Sequence, residues 1–362
     1  MSNSNPLKRA FDLYMSDLSY NEIERLIKRD AAEVYDFFAS DIPKADQPKN
    51  KLIRALIFVR SLFNAFLLKL KPAHRLFYLV AIVIFFIGYV QGIGSYVIFG
   101  FLIMNGLLVF ELADKLVTKD ELQVARKIQS KLMPTEPKDN HHFDISAFYQ
   151  SAKEIGGDYF DIIQPEGKDK SYIVVGDISG KGVAAALYMV RVQAIIRLLV
   201  NSFDTIGDIF KNLKKYFSEN LQKDYFLTLI GTSIDSDGNL TIASAGHNPV
   251  LYYKASSKTT ELINPKGMGI GLNDKGMFEQ TLEELNLSPS PNDILIFYTD
   301  GLTEAMDTQN NQFGIERLEK LIENNSDKNS AEIKNLISRN INDYIGSNYQ
   351  HDDLTFVVLK KK

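Results

Sequence analysis

The 362-residue chain contains no cysteine. Disulfides, cysteine-rich zinc sites and thiol nucleophiles are therefore excluded. An excess of positive charge is lacking too. Lys and Arg number 41 against 45 Asp and Glu, a net charge of −4, so there is no electrostatic footprint for a nucleic-acid partner. The first thirty residues hold no apolar run with a small-residue cleavage site, and no secretory signal peptide is expected. Internal repeats and low-complexity tracts are absent as well. The length suits two domains, or one domain with an appendage.

The most telling absence is local. Residues 76–110 run without a single charge, broken near the middle by Gln91-Gly92-Ile93-Gly94-Ser95. A membrane span needs about 17–25 apolar residues, so the stretch reads as a two-span transmembrane hairpin. A buried core hairpin is the alternative. Residues 51–75 carry six Lys/Arg and no acid over an apolar background. That is the pattern of a basic amphipathic helix on a membrane surface, although Arg60 makes a full span costly. The basic block precedes the first span and places the N-terminus on the cytoplasmic side. Residues 1–50 are polar, with helical spacing over Asn21–Phe38. Residues 111–134 form a charged linker helix with an imperfect apolar stripe ended by Pro134. The stripe invites pairing of two chains, a homodimer through the linker.

Residues 135–362 read as globular. Short apolar runs at 143–149, 171–175, 226–234, 240–245, 250–253, 293–298 and 354–359 enclose two helical blocks, 182–221 and 313–344. Strand runs around helical blocks, without strict alternation, predict an α+β fold of packed, mainly antiparallel sheets with helices outside.

Four acids sit at the ends of such runs, beside glycine or in a tight turn: Asp158, Asp177, Asp300 and Asp352. Singly, each reads as a turn residue. Together they suggest a site for hard divalent ions, which prefer oxygen ligands. Residues and spacing alone reach no further than that.

The ordered blocks ELQVARKIQSKLMP (121–134), GGDYFD (156–161), VVGDISGKGVAAALYM (174–189), AGHNP (245–249), YTDGLTEA (298–305) and DDLTFVVL (352–359) resemble the SpoIIE/RsbU-like branch of the PPM-type, protein phosphatase 2C-like family. The resemblance covers residue 120 to the end. It implies an αββα sandwich with two Mn²⁺ or Mg²⁺ ions between the sheets, and hydrolysis of phosphoserine or phosphothreonine on a protein by metal-activated water. It implies that Asp177 bridges both ions, with the Ile178 carbonyl, Asp158 and Asp300 as further ligands. The last acid pair matches as Asp352, a ligand, and Asp353, a ligand or its neighbour. Asp177, Asp158 and Asp300 are the catalytic candidates. The implied substrate is a phosphorylated regulatory protein, such as an anti-anti-sigma STAS-type protein. The two spans and the basic block before them place the chain as a multi-pass protein of the cell (inner) membrane, with the N-terminus and the catalytic domain cytoplasmic. Eukaryotic relatives carry a phosphate-binding arginine near the N-terminus that has no equivalent here. Lys153 and Lys181 are candidates to replace it, although Lys181 also reads as a solvated residue. His247 in Gly246-His247-Asn248-Pro249 reads as a turn residue or a general acid.

Two other readings stay open. One is a non-catalytic membrane receptor or scaffold of the same fold. The other is a nucleotide cyclase, because Gly156-Gly157-Asp158-Tyr159-Phe160 differs by one residue from the GGDEF motif. Tyr159 stands where that motif places a glutamate. Gly176–Lys181 falls short of a P-loop, and Asp235–Asn239 begins like a calcium loop but reads as a hairpin turn.

Overall fold

The structure, a computed structural model, describes residues 51–134, 140–153, 155–218, 225–272, 276–346 and 348–362. The expected helix at Asn21–Phe38, like all of 1–50, lies outside them. The chain divides into two compact units, Met1–Thr118 and Lys119–Lys362.

The first unit is helical: α1 (Lys51–Lys69), α2 (Pro72–Gln91) and the start of α3 (Gly94–Leu132). Pro72 at the first turn of α2 costs no hydrogen bond, since the N–H it lacks would have no helical partner there. Gly92 ends α2 in the left-handed conformation, φ 70°, so the break falls at the glycines that interrupt the apolar run. The side chains of Lys71 and Asp114 form an ion pair, and His74 Nδ1 lies 3.1 Å from Glu111 Oε2. These contacts tie the start of α2 to α3. The large apolar side chains point outward: Phe77, Val83 and Phe86 on α2, and Ile98, Phe101 and Val109 on α3, are all more than half exposed.

One boundary differs from the sequence reading. The second apolar segment and the charged linker are one unbroken helix of 39 residues. Charge begins at Glu111, but nothing there breaks a helix. Interruption needs proline, glycine or a competing cap, and Pro134 comes first.

The second unit is a two-sheet sandwich. Its elements are β1 (Phe143–Gln150), β2 (Tyr159–Ile163), β3 (Ser171–Ile178), α4 (Val183–Ser202), α5 (Ile206–Ser218), β4 (Leu227–Ile234), β5 (Leu240–Ala245), β6 (Val250–Lys254), β7 (Thr259–Ile263), α6 (Phe278–Thr281), β8 (Glu284–Leu287), β9 (Ile294–Tyr298), α7 (Asp300–Thr303), α8 (Ile315–Glu323), α9 (Ser330–Ile345) and β10 (Leu354–Lys361). One sheet has the order β1-β10-β9-β6-β7 and the other β2-β3-β4-β5-β8. Every pairing is antiparallel. Helices α4 and α5 pack on the second sheet, α8 and α9 on the first. This is the expected αββα sandwich.

Strands buried on both faces explain the continuous apolar runs. On β9, Leu295 and Phe297 join the cluster between the sheets, while Ile294, Ile296 and Tyr298 join the one beneath α8 and α9. On β10, Val357 and Leu359 face inward, and Phe356 and Val358 face the helices. Helix α4 buries Ala185, Met189, Val192, Ile196 and Leu199 at spacings of three and four. Helix α9 opens on a capping box between Asn329 and Glu332, worth about 1 kcal/mol. The Asp235–Asn239 segment is indeed the β4–β5 turn, with the Asp235 carboxylate accepting from the N–H groups of Asp237 and Asn239.

Candidate metal centre

The antiparallel register brings the acids to one end of the sandwich. Asp177 is the penultimate residue of β3, opposite Thr228 on β4. Tyr159 opposes Gly176, so Asp158 lies just beyond that ladder, beside Asp177. In the facing sheet, β9 ends at Tyr298 and Asp300 opens the short helix α7. β10 begins at Leu354, directly after Asp352-Asp353. The backbones meet closely there. A Cβ built on Gly301 would lie 1.9 Å from the Asp353 carbonyl oxygen, so only glycine fits after Asp300. A Cβ on Gly157 would lie 3.1 Å from the Ile178 carbonyl oxygen and 3.4 Å from Asp177 Oδ1. The loop before Asp158 thus runs against the Asp177-Ile178 pair.

The acids have different surroundings. Asp158 is 2 % exposed. Its Oδ2 accepts hydrogen bonds from Thr299 Oγ1 at 2.8 Å and Thr355 Oγ1 at 2.5 Å. Asp353 is buried and committed to backbone. Its carboxylate accepts from the N–H groups of Ala152 at 2.8 Å, Gly157 at 2.7 Å and Asp158 at 3.4 Å. It therefore shapes the loop that carries Asp158. Asp352 is the more open of the pair, with a side chain 40 % exposed, and it accepts from Lys181 Nζ at 2.8 Å.

Crowding shows in the protonation equilibria. Burial, then Asp300, Asp352 and Asp353, push Asp177 up to about 8. Asp158 is carried well above the carboxylate range by burial, then by Asp177 and Asp353, against the two threonine donors. Burial and Asp352 raise Asp300. Glu304, which the sequence reading did not single out, is raised by burial and by Asp300 and Asp352. Negative charge is concentrated here beyond what the protein neutralises. Among the described residues, Lys181 is the only cation hydrogen-bonded to these acids.

A hard divalent ion is the natural complement of such oxygens. The fit is one of donor chemistry: among the described residues no three His, Asp or Glu side chains converge in a metal-holding arrangement.

His247 lies behind the acids. Its Nδ1 is 2.8 Å from Thr228 Oγ1, and that hydroxyl lies 3.5 Å from the Asp177 carbonyl oxygen. Its Nε2 is buried without a hydrogen bond of good geometry among the described residues. Burial holds the imidazole down at about 4, so it is neutral at ordinary pH. Lys153 shows only a backbone carbonyl bonded to Ser151 Oγ. The threonines flanking the acids, Thr228, Thr299 and Thr355, escaped the sequence reading. Their signal was position alone: Thr299 directly precedes Asp300, and Thr355 follows the Asp352-Asp353 pair by two residues.

Against known proteins, the family model described as Stage II sporulation protein E (SpoIIE) matches residues 167–362. The chain belongs to the SpoIIE family. Over 251 residues it is 29 % identical to "Phosphoserine phosphatase RsbU" of Bacillus subtilis (strain 168), covering 67 % of this chain and 71 % of that one. Over 272 residues it is 29 % identical to "Protein IcfG" of Synechocystis sp., covering 67 % of this chain but only 42 % of IcfG. Among solved structures, the SiaA-PP2C domain of Pseudomonas aeruginosa superposes with a TM-score of 0.59 at 18 % identity, over 68 % of this chain and 98 % of that one. The SpoIIE sandwich is thus a PP2C-like fold. The cyclase reading falls with that result, because Gly156–Phe160 leads into β2 of this sandwich.

Proposed function

We propose that this protein is a membrane-anchored, metal-dependent protein phosphatase that hydrolyses phosphoserine or phosphothreonine on a regulatory protein. The observation that carries the reading is the cluster of Asp158, Asp177, Asp300 and Asp352 at one end of a SpoIIE-family sandwich. RsbU, named a phosphoserine phosphatase, supports the reaction class. The absence of cysteine removes the thiolate route.

Asp177, Asp300 and Asp352, with the Ile178 carbonyl, would hold two Mn²⁺ or Mg²⁺ ions, and Asp158 would complete the set from the loop before β2. Bound there, such ions supply Lewis-acid polarisation of a phosphoryl group and activation of water. The protein's own part is positioning. Thr299 and Thr355 fix Asp158 by direct hydrogen bonds. Asp353 holds the N–H groups of Ala152, Gly157 and Asp158. Gly157 and Gly301 let the two sheets' loops approach. A small STAS-type anti-anti-sigma protein is the substrate class the family resemblance favours.

The membrane reading rests on α2 and the first half of α3. Both are long and apolar enough to span, with only 11 % and 6 % of their apolar windows buried. Helix α4 is also long and apolar enough to span, but 44 % of its apolar stretch is buried and it packs on β2 and β3. An outward-facing apolar surface suits lipid. Helix α3 would carry the state of the membrane segment, through pairing of two chains, to the phosphatase domain.

The test is phosphate release by the full chain in lipid nanodiscs from a phosphoserine protein, with Mn²⁺, with EDTA, and in Asp177→Asn. Release that needs the ion and falls at least a hundredfold in the variant supports the reading. Release that survives EDTA would sink it. If Asp177→Asn still supports signalling in cells, the output is binding, as in a receptor or scaffold.

A further inference from the structure

Lys181 is the one described cation in contact with the acid cluster, and its placement is unusual. It lies between Gly180 and Gly182, both in left-handed conformations at φ 90° and 84°. This two-glycine segment links the β3 end, which carries Asp177 and Ile178, to the start of α4. The side chain crosses to the other sheet. There Nζ donates to Asp352 Oδ2 at 2.8 Å and to the His351 carbonyl oxygen at 3.0 Å.

The pair is not sealed: the two side chains are 47 % and 40 % exposed. Ion pairs this open contribute at most about 1 kcal/mol. A divalent ion drawn to the same carboxylate would bring twice the charge and would also be drawn by the neighbouring Asp177 and Asp300. On these magnitudes an ion bound there would take Asp352 and release the lysine. The released ammonium would remain on the short Gly180–Gly182 segment beside the cluster. A phosphate ester arriving there is the remaining anion, and no arginine of the described residues touches these acids.

We propose that Lys181 is the phosphate-gripping residue of this site, stored on Asp352 until a divalent ion displaces it. The inference rests on the metal-dependent reading above and adds a substrate-binding residue to it. While paired with Asp352, Lys181 neutralises it and ties the β3–α4 loop to the β10 lead-in. In the loaded site it donates a charge-assisted hydrogen bond to a phosphoryl oxygen, a role open to arginine and closed to methionine.

The two roles pull a substitution in opposite directions, which makes the test specific. The full chain in nanodiscs would be titrated calorimetrically with Mn²⁺, and the Mn²⁺-loaded protein with inorganic phosphate. For Lys181→Met we expect Mn²⁺ to bind about two- to fivefold more tightly, because its competitor is gone. Phosphate should bind about tenfold more weakly, because its donor is gone. Lys181→Arg should restore phosphate binding to within about threefold of wild type. Unchanged Mn²⁺ affinity, or phosphate binding as strong as wild type, overturns the proposal. A loss of both affinities also overturns it, since that is the mark of a lysine that merely supports the fold. If the unaltered protein binds no Mn²⁺, the metal-dependent reading itself fails, a result distinguishable from all of these.

Discussion

Thr299 and Thr355 show how much a hydroxyl decides at this site. Both donate to the same oxygen of a carboxylate that is almost wholly buried. Burial and the neighbouring acids carry Asp158 well above the carboxylate range even with both donors, so each donor that favours the ionised form counts toward holding a cation. Thr355→Val keeps the shape and removes one donor. It should cost about 2 kcal/mol in the stability of the ionised form and lower metal-dependent phosphate release about tenfold or more. The check is a thermal midpoint together with a Mn²⁺ titration of activity; normal activity at low Mn²⁺ would refute it. His247 allows a prediction with a definite sign. Burial holds it down at about 4, below the ordinary 6.5, so the unfolded chain protonates first as pH falls. Its contribution is intact above pH 6.5 and is lost progressively toward pH 4, up to about 3 kcal/mol. His247→Gln cannot titrate. The difference between wild type and this variant in denaturant stability should therefore change between pH 7 and 4.5 and stay flat from 7 to 8. A flat difference across the whole range would mean the imidazole is not held neutral.

At the scale of elements, the last turns of α3 make a contact that neither a stripe nor a motif announces. Gln129 is buried, donating from Nε2 to the Gly156 carbonyl oxygen at 2.7 Å and accepting from the Gly156 N–H at 3.2 Å. One amide side chain thus serves both backbone groups of a residue two positions before Asp158. From α4, Gln193 Nε2 donates to the Leu132 carbonyl oxygen at 2.8 Å, satisfying one of the orphan acceptors at the helix end. Gln129→Ala leaves two buried backbone groups unpaired. We expect a loss of about 1–3 kcal/mol, read as a lower thermal midpoint of Lys119–Lys362, with Mn²⁺ affinity falling as the Asp158 loop loosens. An unchanged midpoint would show that α3 is not held there. The sequence made this region half legible. Residues 121–134 stood out as a block because they match a family pattern, but the partner of Gln129 depends on tertiary contact. The same limit hid β7 and β8, whose mostly exposed, short runs leave little apolar pattern to read. β3, β9 and β10 were legible because burial on both faces forces an apolar residue at nearly every position. The acids were legible because strand ends with glycine neighbours are conspicuous. That Asp353 would serve backbone N–H groups while Asp352 faced Lys181 could not be read from two identical letters.

For the whole molecule, the two units follow opposite solvent rules. In Lys119–Lys362, Phe143, Phe210, Phe297 and Phe356 are at most 1 % exposed, as water demands. In the helical unit, Phe77, Phe86, Phe99, Phe101 and Phe110 are each more than half exposed. A single aqueous solvent cannot suit both arrangements, because each large side chain left in water forgoes about 1.5–3 kcal/mol. Lipid removes that conflict for the helices. The charged side chains fit as well: Lys71 and His74 at the start of α2 pair with Asp114 and Glu111 in the middle of α3, away from the Gly92 turn. On the proposed membrane reading, both limits of the apolar hairpin would sit at one membrane face, and the six basic residues of 51–75 would put that face on the cytoplasmic side. The full chain should therefore sediment with membranes and resist alkaline carbonate. Lys119–Lys362 should be soluble, unfold in one cooperative transition and bind Mn²⁺. Placing an arginine at Val83, in the middle of α2, should reduce insertion, since a charge at the bilayer centre costs about 2.5–3.5 kcal/mol on insertion scales. The same change at an outward position of a water-exposed helix would have almost no effect. If the full chain stays monodisperse in buffer without detergent, the apolar faces are covered by protein and the membrane reading is wrong.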